Sequence, residues 1–143
     1  MSRPVFTTAL ALALTGASTI ATAQGFLAGR TERLEPLVLG TEESGYGVSV
    51  EEYQLTTGKG YTLFIQSSGM KPYAMVSPDG FFNYIWVRKI EAGDAEIKVT
   101  GIYELEMEEE SELAIFFTPI RPGTYTLHAK GLEDRVSTRF VIE

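Results

Sequence analysis

The chain contains no cysteine among its 143 residues and only one histidine, His128. Without cysteine the protein can form no disulfide, so its stability must come from packing and hydrogen bonding alone. No thiolate is available either, as a nucleophile or as a metal ligand. The missing cysteine therefore excludes disulfide scaffolds, cysteine catalysis and every metal site built on sulfur from thiolates.

Basic residues are also scarce. The sequence has 12 Lys and Arg against 19 Asp and Glu, and its formal net charge is −7. Nucleic acid and anionic membrane surfaces would repel such a protein, because both carry the same sign of charge. We therefore expect no nucleic-acid partner and no binding to an anionic membrane surface.

Long apolar runs are absent except near the N-terminus. A basic start at Met1–Arg3 precedes an apolar run from Val5 to Ile20, and Ala21-Thr22-Ala23 then supplies the small residues of a cleavage site. This pattern predicts a cleavable secretory signal over residues 1–23. A transmembrane anchor fits less well, because Thr, Ser and Gly dilute the run. We expect a periplasmic or secreted mature chain of 120 residues, without a membrane span, and of charge −8.

From Val48 to the C-terminus the sequence alternates short apolar segments with turns. The segments are rich in Val, Ile, Tyr, Phe and Thr, and Gly, Pro or charged residues separate them. This pattern predicts an all-β domain over residues 48–143, an antiparallel Greek-key β-sandwich. Residues 24–47 form a predicted lead-in segment whose patch Leu37-Val38-Leu39 is expected to pair with the main body. The stretch 95–107 is predicted as one strand, and 77–82 as the place for a short helical turn.

Alternation along the strands assigns faces, because successive side chains point to opposite sides. The predicted inward residues are Tyr103, Leu105 and Met107 in one strand, and Tyr125, Leu127 and Ala129 in another. His128 falls on the opposite, polar side of its strand. It is therefore predicted to be an outward strand residue.

Two stretches resemble the cupredoxins, the small periplasmic β-sandwiches that carry blue copper. Residues 56–82, TTGKGYTLFIQSSGMKPYAMVSPDGFF, resemble that family's strand and turn with a histidine ligand, followed by an aromatic pair. Residues 115–143, IFFTPIRPGTYTLHAKGLEDRVSTRFVIE, resemble its PG-x-Y-x-F-x-C strand, ligand loop and last strand. The resemblance covers roughly Val48–Glu143 and implies a cupredoxin-like fold.

The resemblance also identifies the positions that would hold blue copper. Such a site needs two imidazoles, a thiolate and a weak axial sulfur. The first imidazole position is Tyr73, the thiolate position is Ala129, the second imidazole falls at Glu133 or Asp134, and the axial sulfur falls at Val136-Ser137. The resemblance therefore implies a cupredoxin-like domain that lacks the type 1 copper ligands, and we expect no copper cofactor.

A different metal site could use methionine sulfur and imidazole together. Met70, Met75 and His128 are the candidates, because thioethers suit Cu(I). Methionine is also a routine filler of gaps in cores, and these residues are not expected to share a face. A copper or other metal carrier that uses Met, His or carboxylate ligands is kept as the alternative function.

Six carboxylates lie within nine residues, from Glu104 to Glu112. A solvated sheet face is the simplest explanation, and recognition of a basic partner or a hard cation is the functional one. The stretch lacks the Asp, Asn and Gly spacing of a calcium loop. Other paired carboxylates have no histidine, nucleophile motif or phosphate loop beside them, so we expect the protein not to be an enzyme.

The remaining candidates are aromatic and charged residues near the predicted loop ends. Aromatics this dense usually fill a core, but Trp and Tyr are also favoured in protein interfaces. The predicted partner-binding residues are Tyr73, Phe81, Phe82, Trp86, Glu133 and Arg135. Arg121 and Arg135 are predicted to form an ion-pair network with the loop GLEDR, residues 131–135. The leading functional prediction is a periplasmic, non-catalytic binding or accessory module that has a protein partner.

Overall fold

The computed structural model describes residues 29–143. The predicted signal peptide, residues 1–23, and the first residues of the predicted lead-in segment lie outside this range.

The described chain is nearly all β-structure and has a single 3₁₀ turn, Phe81–Asn83. The strands are β1 Glu32–Arg33, β2 Leu37–Leu39, β3 Glu52–Leu55, β4 Tyr61–Ser68, β5 Tyr73–Val76, β6 Ile85–Ala92, β7 Ala95–Ile97, β8 Leu105–Met107, β9 Glu110–Pro119, β10 Gly123–Ala129 and β11 Ser137–Ile142. The 3₁₀ turn directly follows Gly80, at the place where the sequence predicted a short helical turn.

The strands form two sheets. In the first sheet the order is β1-β4-β9-β6-β7, and β2 pairs with β4 beyond the end of β1. In the second sheet the order is β3-β11-β10-β5-β8. The apolar side chains of the two sheets form one core, which confirms the predicted β-sandwich.

Both sheets are mixed, whereas the sequence predicted antiparallel pairing only. β1 and β2 run parallel to β4, and β3 runs parallel to β11. The parallel pairing of β2 with β4 follows from the path of the chain. β3 comes between these two strands in the sequence but belongs to the second sheet, so the chain returns to the first sheet in its original direction. The described part of the lead-in segment thus contributes β1 and β2, and its patch Leu37–Leu39 pairs with β4 as expected.

The predicted single strand over residues 95–107 is wrong. The structure divides it into β7, in the first sheet, and β8, in the second, and residues 98–104 cross between the two sheets. Tyr103 lies on this crossover and is 88% exposed instead of pointing inward. Alternation holds only inside a strand, and this strand begins at Leu105.

The other inward assignments are confirmed, because Leu105, Met107, Tyr125, Leu127 and Ala129 are all buried. An aromatic stack joins the sheets at the centre of the core. The Phe81 ring lies 4.0 Å from that of Phe140 and 5.7 Å from that of Phe117. Residues 29–143 include no helix that is long and apolar enough to cross a bilayer.

Candidate functional site

One end of the sandwich corresponds to the pole where a cupredoxin would hold copper. Tyr73, the first residue of β5, is 0% exposed there. Its hydroxyl donates a 2.8 Å hydrogen bond to the carbonyl of Gly45 and lies 3.3 Å from the Ser68 hydroxyl of β4. The phenol therefore ties the second sheet to the first sheet and to the loop between β2 and β3.

That loop can approach the phenol because it has glycine where a side chain would collide. Gly40 has a φ of +77°, which favours glycine, and a Cβ at this position would collide with the Tyr73 hydroxyl. Gly45 also has a positive φ, and its carbonyl accepts the phenol. The glycines of residues 40–47 and the phenol are thus parts of one closure.

The other copper-ligand positions offer no suitable donor. Ala129 and Val136 are buried, and a 2.9 Å backbone hydrogen bond joins them across the ligand loop. Glu133 and Asp134 are exposed, and the Glu133 carboxylate accepts the amide of Gly131 at 2.9 Å. A methyl, an isopropyl and a hydrogen-bonded phenol do not fit blue copper, which needs a thiolate and imidazoles.

Aromatic–cation contacts cover this pole. The Tyr46 ring, in the loop 40–47, has the Arg135 guanidinium 4.1 Å and the Lys71 ammonium 4.8 Å from its centroid. Arg121 lies at the other end, 4.5 Å from the Tyr84 ring. The predicted ion-pair network of Arg121 and Arg135 is wrong for the described residues, because both cations face aromatic rings that are distant in sequence.

A groove of about 430 Å³ lies beside this pole, on the outer face of the second sheet. Its position follows from the register of β5 and β10, which pair Val76 with His128 on the outward side. Apolar side chains make up much of its lining, namely Val76, Pro78, Phe82, Ile102 and Tyr103. Such a lining suits an apolar anchor from a ligand or a partner.

His128 lies in this groove. It is on the polar face of β10 as predicted, but its side chain is only 12% exposed, because the groove walls cover it. Its Nδ1 is 3.9 Å from Glu133 Oε1, which is too far for a hydrogen bond. His128 therefore lies on the outer face of its strand as predicted, but most of its side chain is covered.

Charged groups line the open side of the groove. Hydrogen bonds from its own amide and that of Gly131, with a smaller contribution from His128, lower the pKa of Glu133. The Lys130 ammonium lies 2.6 Å from a Glu104 carboxylate oxygen, and this hydrogen bond raises the pKa of Lys130. The groove therefore has an apolar lining and a rim that carries both signs of charge.

A nucleophilic role for Ser77, which also lines the groove, finds no support in its contacts. Its hydroxyl donates to Asp79 Oδ1 at 2.8 Å and accepts the amide of Phe81 at 2.9 Å. These bonds commit the hydroxyl to the turn that begins the 3₁₀ segment. No group of three or more His, Asp or Glu residues within 29–143 is arranged to hold a metal ion.

The predicted partner-binding residues do not form one surface. Tyr73 and Phe81 are buried in the core, so they cannot contact a partner in this conformation, and Phe82 lines the groove with only 5% of its surface exposed. Trp86 is 39% exposed, but it belongs to β6 in the first sheet. Glu133 and Arg135 are exposed near the pole, and of these two only Glu133 lines the groove.

The candidate metal ligands are not brought together either. Met75 is buried in the core and Met70 is 57% exposed at the turn between β4 and β5. His128 lies on the outer face of β10, so each of the three residues has a different environment. The sequence did not identify the half-buried Ile102 and the exposed Tyr103 as groove residues. Gly101, just before them, was the available sign that the strand is interrupted there.

Comparisons with known proteins agree with the fold. No family model matches the chain, and no curated protein sequence matches it. Among solved structures, a multicopper oxidase from Campylobacter jejuni is similar, with a TM-score of 0.55 and 8% sequence identity. The aligned region covers 80% of this chain and 30% of the oxidase chain. A variant of a multicopper oxidase from Aquifex aeolicus has a TM-score of 0.56 and 12% sequence identity. The aligned region covers 78% of this chain and 29% of the oxidase chain.

A mutant of amicyanin with Cu(I) is also similar, with a TM-score of 0.40 and 16% identity over 76% of this chain and 80% of its own. The chain spans about 30% of the length of the two oxidases. At such identities the likeness concerns the fold alone. The protein is a cupredoxin-like β-sandwich in which other residues occupy the type 1 copper-ligand positions.

Proposed function

We propose that the protein is a periplasmic, non-catalytic binding module that docks a protein partner at the groove beside His128. The observation that carries this proposal is Tyr103, a large aromatic side chain that is 88% exposed at an apolar groove. Tyrosine is enriched at binding hot spots, because it combines a large apolar surface with a polar group. The predicted export signal supports the location.

The surroundings of Tyr103 favour a protein over a small molecule. Ile102, beside it, is half-buried, and Glu104 follows it in an ion pair with Lys130. An apolar centre with a charged rim resembles the anatomy of protein interfaces. The groove is also an open one, on a flat sheet face, and gives a small ligand little enclosure.

Catalysis receives no support from the groups in the groove. Acid–base chemistry needs a titratable group within hydrogen-bonding reach of its partner, and His128 Nδ1 and Glu133 Oε1 are 3.9 Å apart. The Ser77 hydroxyl is bound to Asp79. A non-catalytic role is therefore the simpler proposal.

A metal carrier is the weaker alternative, because Met70, Met75 and His128 lie in different surroundings. Equilibrium dialysis of the mature chain against Cu(I), Cu(II) and Ca²⁺ tests it. Stoichiometric binding that is lost in Met70→Leu or His128→Ala would replace the proposal of a binding module.

The test of the binding module is site-specific photo-crosslinking in the native host. A photoreactive phenylalanine analogue is placed at position 103 and, as a control, at position 57, an exposed site in the turn between β3 and β4. We expect a discrete crosslinked protein from position 103 that is absent from position 57.

The crosslinked protein is then purified and titrated with the mature chain. Tyr103→Ala should weaken binding by about tenfold or more, as truncation of an aromatic hot spot does. If position 103 yields no crosslinked protein, or the same products as position 57, the proposal is overturned.

A further inference from the structure

The end of the second sheet nearest the groove is an unpaired strand edge. β8 pairs with β5 on one side only, and no described strand lies on its other side. Tyr103, on the crossover, lies two residues before it. An edge of this kind presents backbone N–H and C=O groups that can pair with another extended chain.

Three other edges, those of β2, β3 and β7, are covered or have their charges paired. Residues 48–49 cover β2 through the bridge from Leu39 to Val48. On β3, Glu52 pairs with Arg139, and on β7, Glu96 pairs with Lys89 and Lys98. Neutralised or covered edges are poor templates for a charged partner.

The carboxylates at β8 are different. Glu106, in β8, and Glu108, just after it, are exposed and form no ion pair within the described part of the chain. Glu106 lies opposite Ala74 on the outward face, while the neighbouring Leu105 and Met107 point into the core. The edge therefore has one outward carboxylate in the strand, a second just past its end, and two apolar side chains that face the core.

We propose that the β8 edge accepts an extended segment of the partner protein by strand addition, and that this segment alternates apolar and basic residues. The proposal rests on the proposed function and names the chemistry of its partner. In an added strand, residues facing inward would lie beside the apolar side chains, and residues facing outward would lie opposite the carboxylates. Lys or Arg at every second position meets this requirement.

Charge also decides against a second copy of this chain as the occupant. Two β8 edges that paired with each other would bring Glu106 and Glu108 of both chains together on one face. Like charges directly opposite each other in a sheet are destabilising. A basic segment removes this repulsion and gains cross-strand ion pairs instead.

The probe is a dye-labelled, acetylated peptide amide of sequence Lys-Val-Lys-Val-Lys-Val-Lys, titrated against the mature chain at about 0.15 M salt. A second peptide has the same residues with N-methyl groups on all backbone amides, which keep the charge but block ladder hydrogen bonds in either strand direction. The backbone N–H of Glu106 faces the free edge, because its partner Ala74 bonds to β10 instead, whereas Leu105 and Met107 face β5. We expect the first peptide to slow exchange of the Glu106 amide, and the second to bind at least about tenfold more weakly.

Glu106→Gln with Glu108→Gln should weaken binding of the first peptide by about fivefold to thirtyfold, as the loss of two cross-strand ion pairs predicts. The control, Glu43→Gln with Glu51→Gln, removes two exposed carboxylates from the loop between β2 and β3. It removes the same number of negative charges, and we expect less than about a twofold change.

Equal binding of the two peptides, or equal loss in the two double variants, would show charge attraction without strand addition and overturn the proposal. No binding up to about 1 mM peptide would do the same. Dimerisation of the chain through β8, seen as a protected Glu106 amide without peptide, would assign the edge to a second copy and overturn the proposal. A crosslinked partner at position 103 would survive each of these results, so a failure of strand addition can be told apart from a failure of the proposed function.

Discussion

Tyr73 and Tyr103 show what two regions of one sandwich do with the same side chain. Tyr73, in β5, is 0% exposed at the pole, and its hydroxyl donates a hydrogen bond to the Gly45 carbonyl in the loop 40–47. Tyr103 is 88% exposed on the crossover between the sheets. The pole has been closed by packing and hydrogen bonds, while the flank of the second sheet has been left open.

This difference separates stability from recognition. At the pole, side chains from both sheets and from the loop 40–47 interlock, so a change there should affect the whole fold. At the flank, Tyr103 and the β8 edge contact little of the protein itself. Changes there should leave folding intact and affect only what binds.

The largest expected effect comes from removing the phenol at the pole. Tyr73→Ala leaves a cavity and an unpaired Gly45 carbonyl, so we expect the free energy of unfolding to fall by about 3–5 kcal/mol. Tyr73→Phe keeps the ring and should cost about 1–2 kcal/mol. Urea denaturation measures both. Tyr103→Ala is the matched control, with a change within about 0.5 kcal/mol; equal losses at 73 and 103 would refute the contrast between the regions.

A smaller effect should come from the glycine that faces the phenol. Gly40→Ala places a Cβ against the Tyr73 hydroxyl, and its φ is +77°. Gly93→Ala is a control at a φ of +56° with nothing within 4 Å of the new Cβ. We expect about 1 kcal/mol of destabilisation at Gly93 from the backbone alone, and a further 1–3 kcal/mol or so at Gly40 from the clash.

Thermal or urea unfolding of the two alanine variants measures this difference. In the Tyr73→Phe background the extra cost at Gly40 should shrink, because the hydroxyl that the Cβ meets is gone. An unchanged cost in that background would mean that the loop and the phenol do not form one closure.

The smallest effect concerns the groove. Because amide hydrogen bonds lower the pKa of Glu133 in the folded protein, its contribution to stability is present above its ordinary pKa and is lost as the pH falls through the lowered value. Since this carboxylate is exposed, the contribution is small. A side-chain carbon NMR titration should show Glu133 titrating below the ordinary Glu range, and slightly higher in His128→Asn. A Glu133 that titrates normally would contradict the hydrogen bond from Gly131.

Several elements could be predicted from local pattern. Alternation placed Leu105, Met107, Tyr125, Leu127 and Ala129 in the core, since each lies inside a regular strand. The apolar patch Leu37–Leu39 was expected to pair with the main body, and it does so along β4. These features depend on neighbours in sequence or on burial alone.

The failures share a physical cause. Tyr103 was assigned inward because residues 95–107 read as one strand. Gly101 is a local sign of an interruption, but it does not show that the chain changes sheets there. Arg121 and Arg135 were assigned to carboxylates nearby in sequence, but each faces an aromatic ring from a different part of the chain. For Phe81 and Phe82 the sequence allowed either a core or an interface position, and both side chains are buried in the structure.

By itself the sequence determined the class of fold and the absence of a thiolate at position 129, because strand periodicity and residue chemistry need no partner. Only the tertiary structure decided that Tyr73 closes the pole, that His128 is covered and that the β8 edge is open. Each of these depends on which strands lie side by side, and that arrangement is set by contacts between residues far apart in the chain.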